Sequence, residues 1–227
     1  MSEAEDARRE VASERVANIL AARILDGSLP PGTRIRQDEL AEELGASRIP
    51  VREALRILSS RGLVTLRANV GAWVSQMTLQ DLGLSYKVRE RIEPLLLAES
   101  MPRLTDADLD HMESLQQQIE ENDDVEEFLR LDRELHWTSY RGHDAPQLAD
   151  MVHRLWDTTQ HYRRAFVRLA RSQGSWVISA EHRLLLQALR AGDEETAGTV
   201  LTMHIRRTRL ALADHPELFA ASDSTPG

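Results

Sequence analysis

Four side chains in the second half of the sequence have the types and spacing to bind a metal ion. Asp132 and His136 are four residues apart, so on a helix they share one face a turn apart. His182 stands ten residues before Gly192 and His204 twelve after it. If two helices reverse at that glycine, a rise of ~1.5 Å per residue brings both imidazoles to nearly the same height. Three imidazoles and one carboxylate then form an N3O donor set of the kind that facing helices of a bundle supply. Such a set suits a divalent transition metal, zinc foremost, with nickel, manganese or iron as alternatives, and open coordination positions would admit a ligand. Spacing alone equally allows a polar core cluster, because a single histidine is ordinarily a surface or core residue. His111, His143, His153, His161 and His215 are read in that ordinary way.

A second chemistry lies in Ser47–Leu58. Arg48, Arg52 and Arg56 recur every four residues with Glu53 as the lone acid among them, while Val51, Leu55 and Leu58 mark another face. Ser47 suits an N-cap, and Pro50 falls in the first turn, where a missing N–H does no harm. An apolar back with an arginine front is what a major-groove reading helix requires. A solvated amphipathic helix carries the same pattern, so the surroundings decide.

The net charge of −9 is unevenly spread. Residues 1–75 carry 11 arginines and 11 acids, whereas residues 76–227 carry 17 basic and 26 acidic side chains. Between residues 44 and 75, five arginines face Glu53 alone. A local basic patch suffices for phosphate contacts, and the acidic remainder is expected to face away from the DNA.

The elements that must position these groups can be read in order. Residues 1–6 are expected to fray. Val16, Ile19, Leu20 and Ile24 define a first helix ending near Gly27, and Leu29–Gly32 is a turn. Ile35 sits in a brief extended piece, Gln37–Leu44 form a short helix, and Gly45-Ala46 turn into the arginine-bearing one. Two short helices around a glycine turn make a helix-turn-helix. The period then alternates in Leu63–Leu66 and Ala72–Val74 around Asn69-Val-Gly71, a hairpin that reads as a wing with Arg67 near its tip. From Thr78 onward every pattern is helical. Six helices are expected at 78–100 (bent at Pro94), 105–121, 124–141, 145–171, 175–190 and 193–213, with breaks at Gly142, Gly174 and Gly192. Thr105 with Asp108 forms a capping box, and Asp193 an N-cap. The sparse aromatics, Trp137, Tyr140, Trp156, Tyr162, Phe166 and Trp176 among them, are read chiefly as core.

The expected fold is therefore mainly α: an N-terminal winged helix-turn-helix over residues 8–75, a linker at 76–79, an all-α bundle of about six helices over 80–214 and a flexible tail at 215–227. At 227 residues both parts can hold a core. Cysteine is absent, which excludes a disulfide framework and a thiolate metal site. With no signal-peptide-like start and no apolar run of membrane-spanning length, a soluble cytoplasmic protein without a membrane partner is expected.

The run PGTRIRQDELAEELGASRIPVREALRILSSRGLVTLRANVGAWV resembles the DNA-binding domain of the GntR family of bacterial transcription regulators. The anchors are Pro31-Gly32, Leu40-Ala41, Ser47-Arg48, Pro50–Leu55, Gly62–Val64 and Gly71. In that family the arginines matching Arg48 and Arg52 contact bases and phosphates. The surface implied for DNA is Ser47, Arg48, Pro50, Arg52, Arg56, Arg67 and Gly71. Two departures stand out: Val70 replaces the usual arginine before the wing glycine, and Gln37-Asp38 stand where some members have an arginine.

Over roughly residues 80–213, the segments VRERIEP, LDRELH, AEHRLLLQALRAGD and MHIRR resemble the FCD effector-binding domain of the FadR-type branch. Asp132, His136, His182 and His204 match its four metal-ligand positions, while His143 stands where asparagine is common. Arg89 belongs, with Glu93, to the family's R-x-x-x-E pattern. The resemblance implies a small carboxylate effector with Arg89 as a bidentate partner; a helix-surface ion pair with Glu93 is the other reading of that arginine. The resemblance thus implies a homodimeric regulator of a pseudo-palindromic operator, with no catalytic residues. Two rival readings are a metal-dependent helical-bundle enzyme, which lacks an HExxH-type base and leaves the winged helix unexplained, and a regulator whose metal is only structural.

Overall fold

The structure, a computed structural model, describes residues 3–68, 70–172 and 176–219. They fall into two compact units, one built mainly on residues up to Thr78 and the other mainly on residues from Leu79. The turn residue Asn69, the break at Gly174 and the tail beyond Phe219 lie outside the described residues, as do residues 1 and 2.

In the first unit, α1 (Glu3–Leu25) buries Val16, Ala17, Leu20, Ala21 and Ile24 against α3 (Arg48–Ser60), which turns Val51, Ala54, Leu55 and Leu58 inward. The helix already runs at Glu3, which corrects the expected fraying of residues 3–6. The short α2 (Gln37–Glu43) precedes α3. Gly45 takes φ +59 in the turn that joins them, a backbone conformation glycine adopts without strain. A three-stranded antiparallel sheet completes the unit, with β3 (Gly71–Val74) between β1 (Arg34–Ile35) and β2 (Val64–Arg67). Val64 pairs with Val74 and Arg67 with Gly71, and the extended piece at Ile35 pairs with Ala72.

The second unit is a bundle of six helices: α4 (Leu79–Ser100), α5 (Asp106–Glu121), α6 (Val125–Ser139), α7 (Pro146–Ser172), α8 (Val177–Ala191) and α9 (Glu194–Ala213). Three helix starts are fixed by side chains. Thr105 and Asp108 cap α5 reciprocally, Asp124 accepts the Glu127 N–H at the start of α6, and Asp193 accepts the Thr196 N–H at the start of α9. α4 packs along α9, α9 along α8, α8 along α5 and α5 along α6. The core includes Leu82, Leu96 and Leu97 of α4, Met112 and Leu115 of α5, Leu131 and Leu135 of α6, Leu185 of α8 and Leu201 of α9.

α4 runs unbroken through Pro94. Proline has no N–H to give the Glu90 carbonyl, and Thr202 Oγ1 of α9 approaches that oxygen at 3.5 Å. Beyond α6, the Gly142 N–H donates to Ser100 Oγ at 2.9 Å, and a Cβ at Gly142 would overlap the Ser100 carbonyl oxygen. Only glycine lets the end of α6 close on the end of α4. The expected flexible tail is held at its start: Pro216–Phe219 form one 3-10 turn, and the Phe219 ring stacks on Tyr162 with centroids 4.8 Å apart. No helix among the described residues is long and apolar enough to cross a membrane.

Candidate functional site

α6 carries Asp132 and His136, α8 carries His182 and α9 carries His204. Gly192 adopts φ +67 at the end of α8, where the chain reverses into α9. One donor atom from each of the four side chains lies within 4.8 Å of all the others. The His136 ring is 5.3 Å from those of His182 and His204, which are 5.0 Å apart. Asp132, His136 and His182 are at most 2% exposed, and His204 is partly buried. His111, His143, His153, His161 and His215 stand outside this cluster.

The two oxygens of Asp132 have separate tasks. Oδ2 accepts from the Arg163 guanidinium, while Oδ1 faces His182 Nε2 at 3.4 Å and His136 Nε2 at 3.9 Å. Burial disfavours the ionised carboxyl, but Arg163 and the three imidazoles outweigh it and hold Asp132 well below the usual carboxylate range. Burial, reinforced by His204, pushes the His182 imidazole down to about 4. Burial likewise carries His136 well below its ordinary value, against the pull of Asp132. Both rings are therefore neutral near pH 7, the form that ligates metals.

Neighbouring side chains fix which nitrogen faces inward. Gln116 Nε2 donates to Glu120 at 2.8 Å, so its Oε1 is left to accept from His182 Nδ1, also at 2.8 Å. The His182 Nε2 lone pair then points inward, buried and without a hydrogen-bond partner among the described residues. In the same way His204 Nδ1 donates to Glu181 Oε2 at 2.8 Å. Burial opposes ionisation of Glu181, but bonds from Arg207 and His204 overcome it and bring its carboxyl to about 2. Donors ~2.0–2.2 Å from a shared ion stand roughly 3–4 Å apart, so a small inward shift would close the cluster on one. Neutral His136 and His182, the latter with an unserved buried Nε2, together with His204 and the Asp132 carboxylate fit a divalent transition metal.

Gln116 and Glu181 were not legible in the sequence as parts of this site, yet they orient two of its rings. Gln116→Leu and Glu181→Met are each expected to lower metal affinity about 10–100-fold, as loss of an outer-shell partner does. Competition with a chromophoric chelator measures this, and wild-type affinity in both variants would contradict the role.

Arg89 is 3% exposed, and its Nε donates to Glu93 Oε1 at 2.5 Å. The pair is thus buried, which corrects the reading of a helix-surface ion pair. Burial works against the charge on Arg89, but Glu93 outweighs it and raises its pKa. Tyr140 Oη donates to Glu93 Oε2 at 2.9 Å, and the Arg89 guanidinium lies 4.9 Å from the Tyr86 ring centre. The Tyr86 hydroxyl is buried without a hydrogen-bond partner among the described residues and feels the charges of Arg89, Arg163, Glu93 and Asp132. Arg163 and Tyr86 thereby join the polar layer, although neither carries a spacing signal in the sequence.

In the first unit, Arg48, Arg52 and Arg56 project from the exposed face of α3. Arg48 Nε meets Asp38 Oδ1 at 2.8 Å and Arg56 meets Glu53 at 2.9 Å, whereas Arg52 has no ion pair among the described residues. Exposed pairs of this kind contribute about 0–1 kcal/mol, so a phosphate can displace the carboxylate. Ser47 occupies the N-cap and is exposed, but its side chain makes no capping bond. Pro50 is buried, so it shapes the start of α3 and offers no surface to DNA, a correction to the sequence reading. On the wing, Gly71 takes φ +139, a backbone conformation other residues rarely adopt, so its contribution is backbone shape. The guanidinium of Arg67 lies 5.0 Å from the Trp73 ring centre, and that of Arg34 lies 5.7 Å from it. Arg34 reaches the wing only because β1 pairs with β3, so the sequence pattern did not single it out.

Comparison with known proteins covers both units of the chain. The family described as "Bacterial regulatory proteins, gntR family" matches residues 12–74, and the "FCD domain" matches residues 84–207. An uncharacterized HTH-type transcriptional regulator of Streptomyces ambofaciens is 30% identical over 215 residues, covering 89% of this chain and 87% of its own. A protein of Paenarthrobacter nicotinovorans described as a probable D-xylose utilization operon transcriptional repressor is 29% identical over 201 residues, 87% of each chain. The solved structure of E. coli McbR/YncC matches with a TM-score of 0.74 at 26% identity, covering 89% of this chain and 97% of that one. The chain therefore belongs to the gntR family of bacterial regulatory proteins, with an FCD domain as its helical half, and is a transcription regulator rather than an enzyme.

Proposed function

We propose that this regulator binds a pseudo-palindromic operator as a homodimer and represses until a small carboxylate binds at a metal held by Asp132, His136, His182 and His204. Residues 8–75 serve as the DNA-binding domain, 76–79 as linker and 80–214 as the effector-binding and dimerisation domain. The observation that carries the reading is the convergence of four donors within 4.8 Å beside the buried cations Arg163 and Arg89. Zinc is the first candidate because the donor set is N3O and burial keeps His136 and His182 neutral. A bound divalent ion would supply a Lewis-acidic centre with open positions for a carboxylate oxygen. The buried guanidiniums of Arg163 and Arg89 give this layer the positive charge that suits a carboxylate, and the Tyr86 hydroxyl lies in the same layer. Repression follows the relative described as a repressor. On the DNA side, Ser47, Arg48, Arg52 and Arg56 face the major groove, and Arg67 and Arg34 the flanking backbone.

The partner for dimerisation is a second copy of the chain. Leu84, Val88 and Leu95 of α4 and Met203 and Leu210 of α9 are 40–58% exposed, and α4 lies along α9. So many large apolar side chains in water on two adjacent helices mark a contact face, and a two-fold axis lets one face meet itself. Dimerisation there would carry two reading helices, and effector binding would favour one spacing of them over another.

Selection from random duplex DNA tests this reading. Wild-type protein is expected to enrich paired half-sites with centres about 34–36 Å apart. Leu95→Glu, which places a charge on the apolar face, is expected to shift the protein toward monomer in sedimentation and to lose the paired-site preference. No enrichment, or single half-sites from a wild-type dimer, would contradict it.

A further inference from the structure

An open cavity of about 530 Å³ sits at one end of the helical bundle, lined by Ile119, Phe128, Val167, Ala170, Trp176 and Ile178 among others. Its lining is in register with the polar layer. Glu120 follows Gln116 by four residues and Val167 follows Arg163 by four, while Phe128 precedes Asp132 by four and Ile178 precedes His182 by four. Where helices alternate in direction, +4 on α5 and α7 and −4 on α6 and α8 all advance one turn the same way, about 5.4 Å. The cavity therefore lies one side-chain layer from the metal-ligand cluster. Ile119, Phe128, Val167 and Ile178 are each less than 9% exposed and form that layer. Glu120, on the cavity rim, is also linked to the cluster by hydrogen bonds through Gln116 to His182.

Trp176, at the mouth, is 73% exposed. An indole left in water beside the apolar wall of Phe128, Val167 and Ile178 gains by covering itself with an aromatic or aliphatic group; the lining also holds the polar Glu120, Asn122, Asp123 and Ser179. The volume is in the range of small-molecule sites, roughly 300–1,000 Å³.

We infer that this cavity takes the apolar body of the effector, which is then a carboxylate bearing an aryl-sized group on a short methylene spacer. Its carboxylate occupies the polar layer, its spacer passes between Phe128 and Ile178, and its ring packs on Trp176. The inference rests on the carboxylate reading above and adds the second half of the ligand.

Full-length protein loaded with cobalt, titrated with acetate, phenylacetate, 3-phenylpropanoate and 4-phenylbutanoate, tests it. The cobalt absorption spectrum reports the head group and tryptophan fluorescence the ring. Affinity is expected to rise along the series by more than about tenfold, given roughly fourfold per buried methylene. Trp176→Ala, at an exposed position that leaves the core intact, should weaken 4-phenylbutanoate about fivefold and leave acetate unchanged. Ser179→Trp, which fills the cavity from a half-exposed helix position, should weaken it further. Equal affinities along the series, or indifference to both substitutions, would overturn the cavity assignment while the carboxylate reading stands. A cobalt spectrum unmoved by every acid would contradict the carboxylate reading and the two-part ligand with it.

Discussion

Zinc-loaded wild-type protein is expected to hold about one ion per subunit, and His204→Ala close to none. His204 is the most accessible of the four candidate ligands, with 14% of its side chain exposed, so its removal disturbs the core least. What remains is Asp132, His136 and His182, of which Asp132 offers one oxygen because Arg163 holds the other. The thermal consequence is large. A ligand at a thousandfold excess over its dissociation constant stabilises the folded state by about 4.1 kcal/mol. For a protein of this size that corresponds to a rise in Tm of roughly 8–16 °C. The wild type is expected to show it on adding zinc and the variant to lack it, with similar Tm values in chelator. Elemental analysis beside calorimetry checks both numbers. Equal zinc content in the two proteins, or none in the wild type, would reduce the four residues to a polar core cluster.

Operator affinity should fall roughly 5- to 150-fold on Arg52→Ala and by a similar factor on Arg48→Ala, the loss expected for a bidentate base contact. Both side chains are exposed, so neither substitution carries a large folding cost. Their salt dependence separates the possible roles. Losing a phosphate contact lowers the slope of log affinity against log salt by about 0.9, whereas losing a base contact relaxes sequence preference with little change in slope. Because Asp38 holds Arg48 in the free protein, Asp38→Asn is expected to strengthen DNA binding, an effect of opposite sign. Fluorescence anisotropy on the selected duplex measures all three. Undiminished affinity in Arg52→Ala would show that α3 does not read the groove.

Local pattern made much of this legible. The four-residue recurrence of Arg48, Arg52 and Arg56, the apolar set Val51, Leu55 and Leu58, and the glycine at 192 each act within one helix or one turn, where sequence spacing is spatial spacing. The helix starts at Thr105 and Asp193 follow for the same reason. What remained hidden depends on partners distant in the chain. Arg163 is one arginine among several on α7, and only packing against α6 sets it on Asp132. Gln116 and Glu181 gain their meaning from the histidine each one faces. Arg34 becomes a wing residue through the pairing of β1 with β3. Pro50 satisfies a turn preference and is also buried, so a rule about backbone geometry could not reveal that it presents no surface. The hold on Phe219 is a stack on Tyr162, 57 residues earlier, which nothing in the tail announces.

The most direct measurement titrates zinc-loaded protein, bound to its selected and fluorescently labelled duplex, with a panel of carboxylates from acetate to 4-phenylbutanoate, beside His204→Ala. The expected result is release of the wild type by at least one acid, with a tenfold or greater loss of operator affinity, and no response from the variant. Operator affinity untouched by every acid in the zinc-loaded wild type, or equal release of wild type and variant, would contradict metal-centred sensing.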